Sequence, residues 1–118
     1  MTLVYIIRHG ETEWNLKGIH QGHKNSELTQ KGKEQASCLG QRFQDSNLVF
    51  NSIYTSDLGR ALETAKRICE PIGQKEQIIE IKNLRERALG VLEGLTYHEI
   101  KEKLPEDYLE HSSGNPYY

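Results

Sequence analysis

The 118-residue sequence predicts an α/β domain, a three-layer sandwich with a mostly parallel central sheet flanked by helices. Two observations carry this. Three short apolar runs, Leu3–Ile7, Val49–Thr55 and Ile78–Ile81, alternate with segments of helical period, which is the order of β-α-β units. The first run, Leu3-Val4-Tyr5-Ile6-Ile7, is uncharged and rich in branched side chains, as suits a strand buried on both faces. The length suits one domain and is too short for two. No repeat, low-complexity stretch or linker divides residues 1–118, which are read as a single domain.

The elements follow in order. After Leu3–Ile7 comes a polar loop from Arg8 to about Leu28, with Gly10, Gly18, Gly22 and the only tryptophan, Trp14. Trp14 and Ile19 predict that this loop packs against something, and long loops in small domains usually carry function. A helix begins at Thr29 as N-cap, with Ala36, Leu39, Gly40 and Phe43 as its inner stripe, and Asp45-Ser46-Asn47 ends it. The Val49–Thr55 strand is interrupted by Asn51-Ser52. Ser56 or Asp57 caps the next helix, whose inner stripe is Leu58, Ala61, Ala65, Ile68 and Ile72, with Pro71 and Gly73 at its end. Glu86 to Gly94 reads as loop. Thr96-Tyr97-His98-Glu99 has capping-box spacing, and the helix it opens runs through Ile100 and Leu104 to Pro105. The tail from Glu106 to Tyr118 carries no clear element. Cys38 and Cys69 fall on the apolar sides of their helices, as reduced, buried thiols of a cytoplasmic protein. Three strands are few where five or six are usual, and the open edges must be covered.

Composition narrows the function. Lys and Arg total 15 and Asp and Glu 17, a net charge of −2, unlike the basic footprint of a nucleic-acid binder. The longest apolar run is far below the roughly 20 residues that cross a membrane. It also enters an Arg-His-Gly turn, where a signal peptide would place a small-residue cleavage site.

The chemistry concentrates where strands end. Leu3–Ile7 runs into Arg8-His9-Gly10-Glu11-Thr12, and open α/β sheets bind ligands at strand ends. A cation and an imidazole together there point to an anion site containing a nucleophile or base. The second strand ends in Tyr54-Thr55-Ser56-Asp57, and the following helix carries Arg60 in its first turn, so Arg60 and His9 can converge above one sheet edge. A helix N-terminus adds free N–H groups that suit phosphate. The third strand leads to Leu84-Arg85-Glu86-Arg87. Alone, each of these residues reads as a solvated surface group, and their company is what makes them candidates.

The run Arg8-His9-Gly10-Glu11-Thr12 with Trp14-Asn15 strongly resembles the signature of the histidine phosphatase superfamily, also called phosphoglycerate-mutase-like. Gln21-Gly22, Leu28-Thr29 with Gly32, Ser56-Asp57-Leu58 with Arg60-Ala61, and Leu84-Arg85-Glu86 with Gly90, Glu93 and Gly94 line up in order. The resemblance covers about residues 3–104. It implies that His9 attacks phosphorus and becomes a phosphohistidine, with its other ring nitrogen donating a hydrogen bond that fixes the tautomer. It implies that Arg8 and Arg60 hold the phosphoryl oxygens, that Glu86 is the acid for the leaving oxygen, and that Thr12, Asn15, Gln21 and Gly22 are phosphate or substrate contacts. No cofactor or metal is implied, and the sequence holds no metal-ligand cluster.

The family also has a second core histidine after a late strand. His20 and His23 come too early, His98 sits in the capping box and His111 in the polar tail, so none matches, though His23 is placed to line the pocket mouth. The chain therefore reads as the N-terminal part of a truncated or incomplete domain. The expected function is a phosphomonoester phosphatase, weak or inactive in this short form. The alternative is a phosphoglycerate mutase moving phosphate between hydroxyls of a sugar acid. A non-catalytic anion-binding remnant is the second alternative. The mutase branch typically reads Asn-Glu-Arg-His-Tyr-Gly at the acid, where this chain has Arg85-Glu86-Arg87-Ala88-Leu89-Gly90. Asn25 and Glu27 also stand where an acidic residue and a proline are common. The expected partner is a small phosphorylated metabolite, with no nucleic acid and no membrane, and a homodimer through the exposed sheet edge.

Overall fold

The computed structural model describes residues 1–112. It is an α/β fold whose parallel sheet is flanked by helices. The helices are α1 (Glu13–Lys17), α2 (Gln30–Asp45), α3 (Gly59–Cys69), α4 (Tyr97–Lys103) and α5 (Pro105–Ser112). The strands are β1 (Ile53–Thr55) and β2 (Ile78–Glu80), parallel and in register Ile53 with Ile78, Tyr54 with Ile79 and Thr55 with Glu80. The Ile81 N–H extends the ladder by donating to the Thr55 carbonyl at 2.8 Å. Parallel strands leave by the same edge, so the segments after β1 and after β2 emerge side by side.

The predicted helix from Thr29 forms as α2, with the Thr29 hydroxyl accepting from the Gly32 N–H at 3.0 Å. Its fully buried face is Gly32, Ala36 and Gly40, while Leu39 and Phe43 are half-buried. Cys38 is exposed, a correction to its placement on the inner side; two residues from Ala36, it lies across the helix from the buried row. Cys69 is buried, and burial pushes its thiol up. The capping box at Thr96 and Glu99 forms as read, and Ile100 behind it is fully buried.

Three further expectations are corrected. The Val49–Thr55 strand is only Ile53–Thr55, and Val49 is exposed. Leu58, not Ser56 or Asp57, is the N-cap of α3, and it has no side-chain cap of its own; Asn25 from the first loop supplies one, its Oδ1 accepting from the Arg60 N–H at 3.0 Å. Pro105 ends α4 and opens α5, where a proline at the first helical position has no N–H to lose. His111 falls within α5, and the tail beyond Ser112 lies outside the described residues.

The largest correction is at the N-terminus. Leu3–Ile7 is not a paired strand: among the described residues no ladder reaches it, and its side chains are 42–94% exposed. Tyr5 sits edge-on to the rings of Phe43 and Phe50 at 5.9 and 5.4 Å. A run apolar on both faces becomes a buried strand only when neighbouring segments supply the ladder and the cover. The polar loop, by contrast, is more ordered than its composition suggests. It contains α1, capped reciprocally by Thr12 and Asn15, and is tied by bridges between Thr12 and Leu28 and between Ile19 and Thr96. Trp14 and Ile19 are half-buried. Among the described residues no helix is long and apolar enough to cross a membrane.

Leu92, in a short 3₁₀ turn, is fully buried beside the first loop. Leu92→Ala is expected to lower the unfolding free energy by about 2–5 kcal/mol through the cavity it leaves, read as a shift of the urea midpoint at constant slope.

Candidate active site

His9 stands where the N-terminal run turns into the first loop, and Gly10 sets how close that turn lies to α2. A Cβ on Gly10 would meet the Gly32 carbonyl oxygen at 2.5 Å. The Gly10 N–H donates to the buried Thr64 hydroxyl of α3 at 3.0 Å, and that hydroxyl donates to the Arg60 carbonyl at 2.7 Å. The turn carrying His9 is thereby fixed to the same helix that carries Arg60.

The imidazole is half-buried, and its Nδ1 lies 2.7 Å from the Gly10 carbonyl oxygen. A carbonyl can only accept, so Nδ1 carries the proton and the lone pair sits on Nε2. This is the tautomer-fixing bond expected of the residue. Burial lowers the pKa of His9 below its ordinary 6.5, the carbonyl bond opposes this, Arg60 and Arg8 lower it further, and Glu86 raises it. The balance is a neutral ring at pH 7.

Arg60 is 2% exposed. Its guanidinium donates to the carbonyls of Lys24 at 2.6 Å and Gly22 at 2.7 Å, and at 3.5 Å to Asn25 Oδ1. Five N–H donors less these three leave two for an anion. Burial pulls its pKa below the usual value against the opposing carboxylates of Glu86 and Glu93. Arg8 is exposed beside His9.

Thr12, Asn15 and Gln21 are brought together. The fully buried Thr12 hydroxyl accepts from the Asn15 N–H and donates to Gln21 Oε1, both at 3.1 Å, and the Thr12 N–H donates to Asn15 Oδ1. Ser26 also donates to Gln21 Oε1, at 2.9 Å. Asn15 itself is exposed. Gly22 has φ 54°, and a side chain there would collide with the Glu93 carboxylate and the Leu89 amide. Glu93 accepts from the N–H groups of His23 at 2.8 Å and Leu89 at 3.2 Å, pinning the loop from the other side. His23 is exposed at this rim.

Glu86 is exposed, close enough for its charge to act on both His9 and Arg60. The residue before it, Arg85, forks onto Asp57, with Nε on Oδ1 at 2.5 Å and Nη2 on Oδ2 at 2.7 Å. That pair holds the Asp57 carboxyl below the usual carboxylate range. A cavity of about 330 Å³ lies along Ile7, Arg8, His9 and Gly10, backed by Ala36 and Leu39 of α2 and Thr64 and Ile68 of α3. Neither Arg60 nor Glu86 lines it, and much of its wall is aliphatic. It lies beside the N-terminal run and is walled by Arg8, His9 and Gln35 as well as by aliphatic side chains. Asn25, Thr64, Asp57 and Glu93 each take one partner that is 28 to 70 residues away in the chain, and no local pattern signals such pairs.

Residues 4–118 match the histidine phosphatase superfamily, branch 1. The chain belongs to that superfamily. It is 39% identical over 110 residues to a 2,3-bisphosphoglycerate-dependent phosphoglycerate mutase of Bartonella tribocorum, covering 92% of this chain and 53% of that protein. Among solved structures it is similar to YhfR of Bacillus stearothermophilus, with TM-score 0.77, 40% identity, and coverage of 88% of this chain and 50% of that one. It is also similar to the alpha-ribazole phosphatase of Shigella flexneri, with TM-score 0.80, 30% identity, and coverage of 91% and 51%. This histidine phosphatase superfamily chain thus spans about half the length of the relatives it matches.

The ring geometry makes a direct prediction. In an NMR titration of the whole chain, His9 titrates below pH 6.5 and its neutral form is the Nδ1–H tautomer by ring ¹⁵N shifts; a midpoint above 6.5 would contradict the burial and the two flanking cations.

Proposed function

We propose that the chain acts on phosphomonoesters through a phosphohistidine on His9, as a phosphatase. The observation that carries this is the Nδ1 bond to the Gly10 carbonyl, which leaves Nε2 unprotonated on a ring that feels the charges of Arg60 and Arg8. His9 Nε2 attacks phosphorus, and the P–O bond to the alcohol breaks. Arg8 and the two remaining donors of Arg60 take the charge on the phosphoryl oxygens, where positioning and electrostatics do most of the work. Glu86 gives its proton to the leaving oxygen. Its carboxylate then takes a proton from water, whose oxygen attacks the phosphohistidine, releasing inorganic phosphate and free His9. Asn15, Gln21 and Gly22 are the neighbouring phosphate contacts, and Thr12 holds Asn15 and Gln21 in place.

The mutase reading has the Bartonella tribocorum relative in its favour. Against it, Ala88-Leu89 stand where the mutase branch typically has a His-Tyr pair. Incubation with p-nitrophenyl phosphate and, separately, with 3-phosphoglycerate distinguishes them. The phosphatase releases nitrophenol and phosphate, and His9→Ala reduces this to background. Equal turnover by wild type and His9→Ala excludes catalysis at this site; conversion of 3-phosphoglycerate to its isomer without phosphate release establishes the mutase. Because His9 must be neutral to attack and Glu86 must carry a proton to give, kcat/KM is bell-shaped in pH, and its acid limb, set by His9, loses rate as pH falls through a midpoint below 6.5.

The substrate is a small phosphorylated metabolite, and the work is done in the cytoplasm; the unpaired, exposed Cys38 favours a reducing compartment. A second copy covers the N-terminal edge. Leu3–Ile7 has unpaired backbone, exposed branched side chains and a cavity behind Ile7, and two identical runs meeting antiparallel about a two-fold axis close both edges at once. Sedimentation should give a dimer mass for the chain and a monomer mass for Ile6→Lys. A monodisperse wild-type monomer at tens of micromolar would overturn this.

A further inference from the structure

The segment that carries Glu86 is held at its two ends and not between them. At one end Arg85 forks onto Asp57, at 2.5 and 2.7 Å. At the other the Leu89 N–H donates to Glu93, which also binds the His23 N–H. Residues 86–88 between them are exposed, and among the described residues they make no hydrogen bond. The parallel pairing of β1 and β2 explains why these particular groups meet. Asp57 follows the end of β1 by two residues and immediately precedes Leu58, the N-cap of α3; Arg85 follows the short turn at Lys82–Leu84 after β2. Past the Ile81–Thr55 bond, the fork is the hydrogen-bonded link between these two exits, and the Lys82 charge also acts on Asp57.

We infer that the Asp57–Arg85 fork is a positioning device for Glu86, holding the segment that bears it against the start of α3, where Arg60 and His9 lie. The inference rests on the reading of Glu86 as the acid of the site. A bidentate guanidinium–carboxylate pair fixes orientation as well as distance, which a lysine ammonium cannot do. The charges facing His9 are Arg8 beside it, Arg60 on α3 and Glu86 after β2, and of these only Glu86 raises the affinity of the ring for a proton. The position of Glu86 is therefore readable at His9 without any turnover.

The test is the NMR titration midpoint of His9 in the whole chain, compared among wild type, Glu86→Gln, Arg85→Lys and the double variant. Arg85→Lys keeps the net charge and removes the fork. Glu86→Gln is expected to lower the midpoint. Arg85→Lys is expected to lower it by at least half as much, and to add nothing in the Glu86→Gln background. Amide spectra that overlay outside residues 56–60 and 82–90 show that each variant is folded. An unchanged midpoint in Arg85→Lys, or the same drop with and without Glu86, overturns the positioning role. Failure of the phosphatase reading registers separately, as turnover indifferent to His9→Ala.

Discussion

A guanidinium that is 2% exposed must have acceptors, and the arrangement around Arg60 follows from that requirement. The acceptors come from the first loop: the carbonyls of Gly22 and Lys24, with Asn25 bonding both the side chain and the amide of Arg60. The loop is thus drawn onto the start of α3. The same helix holds the His9 turn through Thr64, which bonds Gly10 on one side and the Arg60 carbonyl on the other. Removing the cation would leave three loop acceptors without it, whereas burying it unpaired would cost several kcal/mol. One charge therefore sets the spacing between His9, the first loop and α3.

The second constraint is the parallel pair. β1 and β2 are only three residues each, yet their shared direction brings Asp57 and Arg85 out at the same edge. Polar groups from distant segments converge there, while the apolar N-terminal run stays exposed. Leu3–Ile7 meets the rings of Phe43 and Phe50 through Tyr5, with a cavity beside Ile7. The chain spans about half the length of the relatives it matches.

Much of the site was legible because its chemistry is carried by a local motif. Arg8, His9 and Gly10 are consecutive, Arg60 follows a strand end by a fixed short spacing, and the Thr12–Asn15 cap has its partners three residues apart. What stayed hidden depends on chain-distant partners. Asn25 read as a departure from a pattern, and it is the cap of α3. Asp57 read as a possible helix cap, and its carboxylate is committed to Arg85. Cys38 read as buried because a single apolar stripe was drawn through Leu39, whereas the close face of α2 runs through its two glycines and Ala36.

By itself the sequence determined the fold class, the helices α2, α3 and α4, the family, and the order in which the chemical groups occur. Periodicity, capping and motif spacing are properties of a few neighbouring residues, so a single chain displays them. Tertiary structure alone decided that Leu3–Ile7 remains unpaired, that Arg60 binds loop carbonyls, and that Asp57 meets Arg85. Those outcomes depend on which distant segment arrives to offer a ladder, an acceptor or a countercharge, and no local pattern encodes that arrival.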